Sequence, residues 1–105
     1  MVKEPPPIIQ HFGHVIRELR RERHMSQEEL ANLSGLHRTY ITDIERGSRN
    51  VSLKNISRLA AAFEVPLTEI FSRLEQKTHS EENIMSLPKK NGSSNTIITP
   101  INQIK

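Results

Sequence analysis

Apolar residues recur at spacings of three and four from residue 8 to about residue 77, the periodicity of amphipathic helices. The first such stretch has an apolar stripe made of Ile8, Phe12, Val15, Ile16 and Leu19. Its opposite face is basic and carries Arg17, Arg20, Arg21 and Arg23. The pattern predicts an amphipathic first helix whose apolar stripe enters a core and whose arginines form a solvated face.

Capping residues mark the start and the end of a second helix. Ser26 is followed three residues later by Glu29, which is the spacing of a capping box. Met25 and Leu30 flank the box as a hydrophobic staple. Gly35 suits the left-handed backbone position that ends many helices. The second helix is therefore predicted to fill the segment between Ser26 and Gly35.

Three more helices are predicted beyond Gly35. The third runs from about Arg38 to Gly47, the fourth follows Ser52, and the fifth starts at Pro66, which is tolerated at a helix start. The inward residues of the third and fourth helices are Leu36, Ile41, Ile44, Leu53, Ile56, Leu59, Ala60 and Phe63. The chain is thus predicted to be all-α, with five helices.

The stripe of the fifth helix is too wide to be buried on both sides in so small a domain. It consists of Leu67, Ile70, Phe71 and Leu74. We assign Leu67 and Ile70 to the core. Phe71 and Leu74 are interpreted as a dimer contact, because exposed apolar patches usually have an interaction role.

The two ends of the chain differ in composition from the helical part. Residues 1–7 end in three prolines, which favour an extended N-terminal arm. Residues 8–77 form the predicted folded domain. Residues 78–105 are rich in Ser, Asn and Lys, and they are predicted to be a flexible, disordered C-terminal tail.

Composition narrows the possible functions. Hydrophobic residues make up 34% of the 105 residues, which is a thin supply for a large buried catalytic cleft. The net charge of +3 permits a polyanionic partner without requiring one. The chain has no cysteine and no Gly-rich phosphate loop, and His11 and His14 lack a third zinc ligand. We expect no enzymatic activity, no cofactor and no metal.

The distribution of apolar residues also predicts the cellular location of the protein. The longest apolar run, from Leu59 to Phe63, is far shorter than the roughly 20 residues of a membrane span. No signal-peptide pattern opens the chain. A cytoplasmic protein without a membrane partner is therefore expected.

Two helices joined by a short turn with a glycine make a helix-turn-helix arrangement. Ala31 is small enough for the close crossing of such helices, and Gly35 allows the turn. The span from Gln27 to Arg46 resembles the helix-turn-helix of the lambda-repressor-like, or Xre-type, DNA-binding family. The resemblance extends over about residues 10–75 and rests on "SQEELA", "IERG" and "VPLTEIF" at the family's spacing.

The resemblance implies that the third helix lies in the major groove of double-stranded DNA. The implied base contacts are Arg38, Thr39, Thr42 and Arg46. Arginine can bond guanine O6 and N7 together, whereas threonine offers a hydroxyl or a methyl group. Asp43 is interpreted as orienting Arg38 or Arg46, although it could also accept from cytosine N4.

The resemblance also implies contacts with the DNA backbone on both sides of that helix. Gln27 stands at the start of the second helix, where free amides favour a phosphate. The other implied backbone contacts are Tyr40, Arg49, Asn50 and Lys54. An ion pair of Arg20 with Glu45 is expected to tie the first helix to the third. His37 stands where a capping side chain is common, so a weak cap is predicted.

The sequence therefore predicts a DNA-binding transcriptional regulator that binds a pseudo-palindromic operator as a homodimer. The segment "RTYITDIERGSRN" is similar to the recognition region of restriction–modification controller proteins. Two alternatives use the same fold. One is an antitoxin whose C-terminal tail binds a protein partner, and the other is a protein-interaction adaptor that does not read DNA.

Overall fold

A computed structural model describes the backbone of residues 7–86 and the side chains of residues 7–79. In this part the chain forms five helices and no strand, as predicted. The helices are α1 (Pro7–Glu22), α2 (Gln27–Ser34), α3 (Arg38–Glu45), α4 (Leu53–Phe63) and α5 (Leu67–Ser86). Helix α1 thus begins at the last of the three prolines, a position that accepts proline because a first-turn N–H has no intrahelical partner.

The capping residues set the helix ends as the sequence predicts. The Ser26 hydroxyl accepts from the Glu29 amide at 3.0 Å, and the Glu29 carboxylate accepts from the Ser26 amide at 2.7 Å. Gly35 ends α2 in the left-handed region with φ of 77°. His37 precedes α3 without a side-chain cap hydrogen bond, so the start of α3 lacks the stabilisation that a capping side chain supplies.

One apolar core joins all five helices. Its buried members are Phe12, Val15, Ile16, Leu19, Leu30, Ala31, Ile41, Ile44, Leu59, Ala60, Phe63, Ile70 and Leu74. Helix α1 lies at the centre and packs against both α3 and α5, whereas α2 packs against α3 and α4. Helix α3 therefore has one face on the core and leaves the other free.

A glycine permits a close crossing of α1 with the end of α3. A Cβ atom added to Gly13 would lie 2.3 Å from the backbone oxygen of Ile44 and 3.1 Å from that of Glu45. Helix α1 can therefore approach the end of α3 only because residue 13 has no side chain. This role cannot be predicted from the sequence, because a glycine within a helical stripe gives no sign of which helix crosses it.

The stripe of α5 is rotated relative to the prediction. Leu74 is only 8% exposed and belongs to the core, so in the single chain it offers little surface for the predicted dimer contact, which stays a prediction. Leu67, assigned to the core, is 38% exposed, and Phe71 is 40% exposed. Ile70 and Leu74 lie one turn apart and therefore share a side of the helix, and this side faces the core. Leu67 and Phe71 form the neighbouring row.

Helix α5 is longer than predicted and continues to Ser86, past the proposed boundary at residue 77. Residues 78–86 contain neither glycine nor proline, and Pro88 is the next helix-breaking residue in the sequence. The polar composition of residues 78–86 is compatible with a disordered tail and equally with a solvated helix. The rest of the predicted tail and residues 1–6 of the predicted arm lie outside the described residues.

Ion pairs fasten α5 to α1 along their shared polar edge. Arg73 donates to both carboxylate oxygens of Glu22, at 2.8 and 3.0 Å, and to Glu69 at 2.8 Å. Lys77 donates to Glu18 at 3.1 Å. The hydrogen bond from Arg73 lowers the pKa of the Glu22 carboxyl, and hydrogen bonds to Glu22 and Glu69 raise the pKa of Arg73.

Candidate nucleic-acid interface

The turn between α2 and α3 presents the outer face of α3 to solvent. The amides of Gly35 and Leu36 both donate to the Ala31 carbonyl, at 2.9 and 3.2 Å, which closes the end of α2. The chain then enters α3 with Arg38 and Thr39 exposed in its first turn and Thr42 partly exposed one turn later. This face combines positive charge with hydroxyl groups, which are suited to base edges.

Arg46 follows α3 directly and is held by a carboxylate. Its Nη2 donates to Asp43 Oδ1 at 3.1 Å, and Arg49 Nε lies 3.7 Å from Asp43 Oδ2. Asp43 thus orients Arg46, which was one of its two predicted partners, and it also pairs with Arg49, which was not predicted. Arg38 makes no side-chain hydrogen bond or ion pair to another residue in the described range, so its guanidinium is available to a ligand.

Tyr40 forms a platform beside α3. The guanidinium of Arg49 lies 5.0 Å from the centre of the Tyr40 ring, within the range of a cation–π contact. The Tyr40 hydroxyl accepts from Asn55 Nδ2 at 3.1 Å. Asn55 is not among the residues predicted from the sequence, because an asparagine in a helix has no distinctive spacing. Tyr40 and Asn55 connect α3 to α4 and hold Arg49 at the edge of the exposed face.

The remaining predicted backbone contacts divide into two groups. Asn50 and Lys54 are exposed, before and at the start of α4. The side chain of Gln27 instead turns into the protein, where Nε2 donates to Glu45 Oε1 at 3.1 Å and Oε1 accepts from Thr42 at 3.0 Å. Only the backbone N–H of Gln27, which has no intrahelical partner in the first turn, is left for a phosphate.

The Arg20–Glu45 ion pair anticipated from the family is present. Arg20 Nε and Nη2 donate to the two Glu45 oxygens at 2.7 and 2.9 Å, and Nη1 donates to the Met25 carbonyl at 2.8 Å. Arg17 adds a longer contact to Glu45 at 3.5 Å. This pair ties the end of α3 to α1 and to the loop before α2, and so fixes the orientation of the exposed face.

Glu45 is ionised although its side chain is fully buried. Burial disfavours the charged form, but hydrogen bonds from Arg20 and Gln27 and the charges of Arg20 and Arg17 outweigh it, so the pKa of Glu45 is lowered. The hydrogen bond that Arg20 donates to Glu45 in turn raises the pKa of Arg20 against the effect of its own desolvation.

A metal site and a membrane span find no support in the part of the chain that the structure describes. No group of three or more His, Asp or Glu side chains there could hold a metal ion. Within the helices described, none is long and apolar enough to cross a membrane. The exposed face of α3 is the surface whose charge and hydrogen-bonding groups point to a ligand.

Comparisons with known proteins identify the helix-turn-helix. A helix-turn-helix family profile (HTH_3) matches residues 16–70. The chain is 54% identical over 55 residues to the control protein C.BamHI of Bacillus amyloliquefaciens, covering 51% of this chain and 68% of the relative. It is 42% identical over 67 residues to the control protein C.MunI of a Mycoplasma species, covering 63% of this chain and 90% of the relative.

Solved structures give the same result. The restriction–modification controller protein C.AhdI from Aeromonas hydrophila is similar at 48% identity and a TM-score of 0.61, covering 63% of this chain and all of that one. The controller protein C.Esp1396I, solved as a tetramer on its natural 35-base-pair operator, is similar at 37% identity and a TM-score of 0.64, covering 67% of this chain and 92% of that one. The chain belongs to the Xre, or lambda-repressor-like, family of helix-turn-helix transcriptional regulators.

Proposed function

We propose that this regulator binds a pseudo-palindromic operator as a homodimer, with α3 in the major groove of each half-site. One observation carries the proposal: the outer face of α3 offers Arg38, Thr39 and Thr42 to a ligand, while Arg20 and Glu45 hold its inner end against α1. A face held in this way can match a fixed pattern of base edges.

Base recognition would be divided along α3. Arg38, at the start of the helix and without an internal partner in the described range, can bond guanine O6 and N7 together. Thr39 and Thr42 offer smaller groups to neighbouring bases. Arg46 lies beyond the helix end, and Asp43 restricts its guanidinium to one side, so its contact is expected at the edge of the half-site.

Phosphate contacts would flank the bases. Arg49, Asn50 and Lys54 lie in and after the segment that leaves α3, and all three are exposed. The backbone N–H of Gln27 can meet a phosphate on the other side, at the positive end of α2. Such contacts position the protein and add affinity that falls with salt, without reading sequence.

The homodimer would use an apolar surface on the side formed by α1, α4 and α5. Ile8 is 51% exposed, and it lines a pocket of about 170 Å³ together with Val51, Ile56 and Phe71. Specific DNA complexes bury about 1,000–2,500 Å² of protein surface, more than one small helix-turn-helix unit supplies. Two copies joined through Phe71 would place two α3 helices on one operator.

The genes under control are proposed to be those of a restriction–modification system. The support is the similarity to several controller proteins of such systems, over most of the length of each. Genes for an endonuclease and a methyltransferase beside the coding sequence would be expected. A neighbouring gene of another class, such as a toxin, would instead favour the antitoxin alternative.

A footprint of the purified full chain on the DNA upstream of its own coding sequence tests the proposal. The expected result is a protected, two-fold symmetric site that survives an excess of random DNA at a stated salt concentration. Diffuse protection that the competitor or added salt removes would contradict sequence-specific binding there, and would direct attention to a protein partner.

A further inference from the structure

The hydroxyl of Thr42 is within hydrogen-bonding distance of two oxygen atoms of the protein. Its Oγ1 lies 3.0 Å from Gln27 Oε1 and 3.1 Å from the backbone oxygen of Arg38. A hydroxyl has one hydrogen to donate and two lone pairs that accept. Because both neighbours are oxygens without a hydrogen, the Thr42 proton points into the protein whichever of them accepts it.

The Gln27 side chain turns its amide oxygen, and not its nitrogen, toward Thr42. Gln27 Nε2 lies 3.1 Å from Glu45 Oε1, which also accepts from Arg20 at 2.9 Å. Glu45 is ionised, since the hydrogen bonds and charges around it lower its pKa. Turning the amide over would place its oxygen against that carboxylate, so the charge of Glu45 fixes the amide.

We propose that Thr42 reads its base pair only as a hydrogen-bond acceptor, with Gln27 and the Arg38 carbonyl retaining its proton. This inference rests on the proposed function, because it assumes that α3 lies in the major groove. Rotating the proton outward, toward DNA, would leave Thr42 Oγ1 facing two other acceptors at 3.0 and 3.1 Å. The free face of the hydroxyl therefore offers lone pairs.

An acceptor at this position selects a particular kind of base edge. In the major groove the donors are the exocyclic amines, N6 of adenine and N4 of cytosine. Guanine O6 and N7 and thymine O4 are acceptors, which Thr42 would not bond. Thr39 differs, because its hydroxyl makes no hydrogen bond within the described residues and can rotate to donate or to accept. Two threonines one turn apart thus have different recognition properties.

Base analogues test the inference directly. Binding sites are first selected from randomised duplexes with the full chain and with Thr42→Val, and the pair whose preference changes is taken as the Thr42 contact. Each base pair carries one amine and one carbonyl in the major groove. Two duplexes are then made at that pair, one with an analogue lacking the amine and one with an analogue lacking the carbonyl oxygen.

Removal of the amine is expected to weaken binding of the natural chain by roughly three- to tenfold more than binding of Thr42→Val, the range for one hydrogen bond. Removal of the carbonyl oxygen is expected to affect both proteins equally. Thr42→Val serves as the control for changes in the DNA itself, since both proteins meet the same duplexes. The inference would be overturned if the natural chain lost more binding on removal of the carbonyl oxygen than on removal of the amine, or lost the same amount with both analogues.

Gln27→Met tests the part assigned to Gln27. The substitution removes one of the two internal acceptors and leaves the Arg38 carbonyl. The loss of binding on removal of the amine is then expected to come closer to the loss on removal of the carbonyl oxygen. A purely structural role would instead weaken binding to all duplexes by one common factor. An unchanged difference would overturn the role of Gln27.

The same experiment separates the inference from the proposed function. If the natural chain selects no sequence from the randomised pool, sequence-specific binding fails, and the inference fails with it. If it selects a sequence but Thr42→Val selects an identical one, only the inference is overturned.

Discussion

Glu45 is a buried carboxylate whose partners come from two other elements. Arg20 reaches it from α1 and Gln27 reaches it from α2, so one side chain connects the helices that surround the recognition surface. A buried ion pair adds little stability compared with apolar residues, but the loss of one partner leaves a charge without compensation. The pair is therefore expected to matter most when it is broken.

Arg20→Ala is expected to lower the free energy of unfolding by on the order of 3–5 kcal/mol, because Glu45 would remain buried without its main partner. Urea denaturation followed by circular dichroism measures the change. Arg21→Ala is the matched control, since Arg21 is exposed and its side chain makes no hydrogen bond or ion pair in the described range. Equal losses for the two variants would show that the ion pair does not stabilise the fold.

Acid is expected to destabilise the domain through the same residue. The pKa of Glu45 is lowered in the folded state, so the unfolded chain binds more protons between the folded value and the usual value of about 4.3. Stability from Glu45 is complete above that window and is lost as the pH falls through it. Denaturation midpoints measured from pH 7 to pH 3 should decline more in the natural chain than in Glu45→Gln. Parallel declines would contradict this.

At the scale of the elements, the position of α3 depends on the crossing with α1 at Gly13. Gly13→Ala is expected to destabilise the fold by about 1–3 kcal/mol, as overpacking does, although alanine favours helices by about 1 kcal/mol. Gly35→Ala is the contrast, because nothing lies within 4 Å of its added Cβ and only the left-handed backbone is strained. The midpoint temperatures of thermal unfolding are measured for Gly13→Ala, Gly35→Ala and the natural chain. A Gly13→Ala protein as stable as the natural chain would show that the crossing tolerates a methyl group.

The elements also show how far the sequence alone can lead. Local signals such as the Ser26–Glu29 capping box predict the helix starts, because each involves residues a few positions apart. The family resemblance supplies the Arg20–Glu45 pair. Three other features depend on how the helices pack against one another. They are the row of α5 that faces the core, the close approach of α3 to Gly13, and the inward turn of the Gln27 side chain. No local spacing encodes those contacts, so the structure was needed to find them.

At the scale of the whole molecule, two surfaces have different chemistry. Phe71, Ile8 and Leu67 are exposed apolar residues, and the pocket that Ile8 and Phe71 line is bordered by Arg49 and Asn50. This division suits a dimer in which the apolar surfaces meet and the cationic faces are left for DNA. The ion pair of Arg73 with Glu22 holds α5, and with it Phe71, in place on α1.

Phe71→Asp is expected to raise the dimer dissociation constant by roughly a hundredfold or more, because an uncompensated buried charge costs on the order of 3–5 kcal/mol. Sedimentation equilibrium measures the constant, and circular dichroism verifies that the monomer is folded. Ser72→Asp is the matched control, since Ser72 is exposed and lines the polar groove between α1 and α5. Unchanged association of Phe71→Asp would place the dimer surface elsewhere.

Whether α3 reads DNA sequence is tested by comparing Arg38→Ala with Lys54→Ala on operator and random DNA at one salt concentration. Arg38→Ala is expected to lose roughly 1–3 kcal/mol of discrimination between the two DNAs, whereas Lys54→Ala should weaken both about equally. Equal losses on operator and random DNA for Arg38→Ala would contradict sequence reading by this helix.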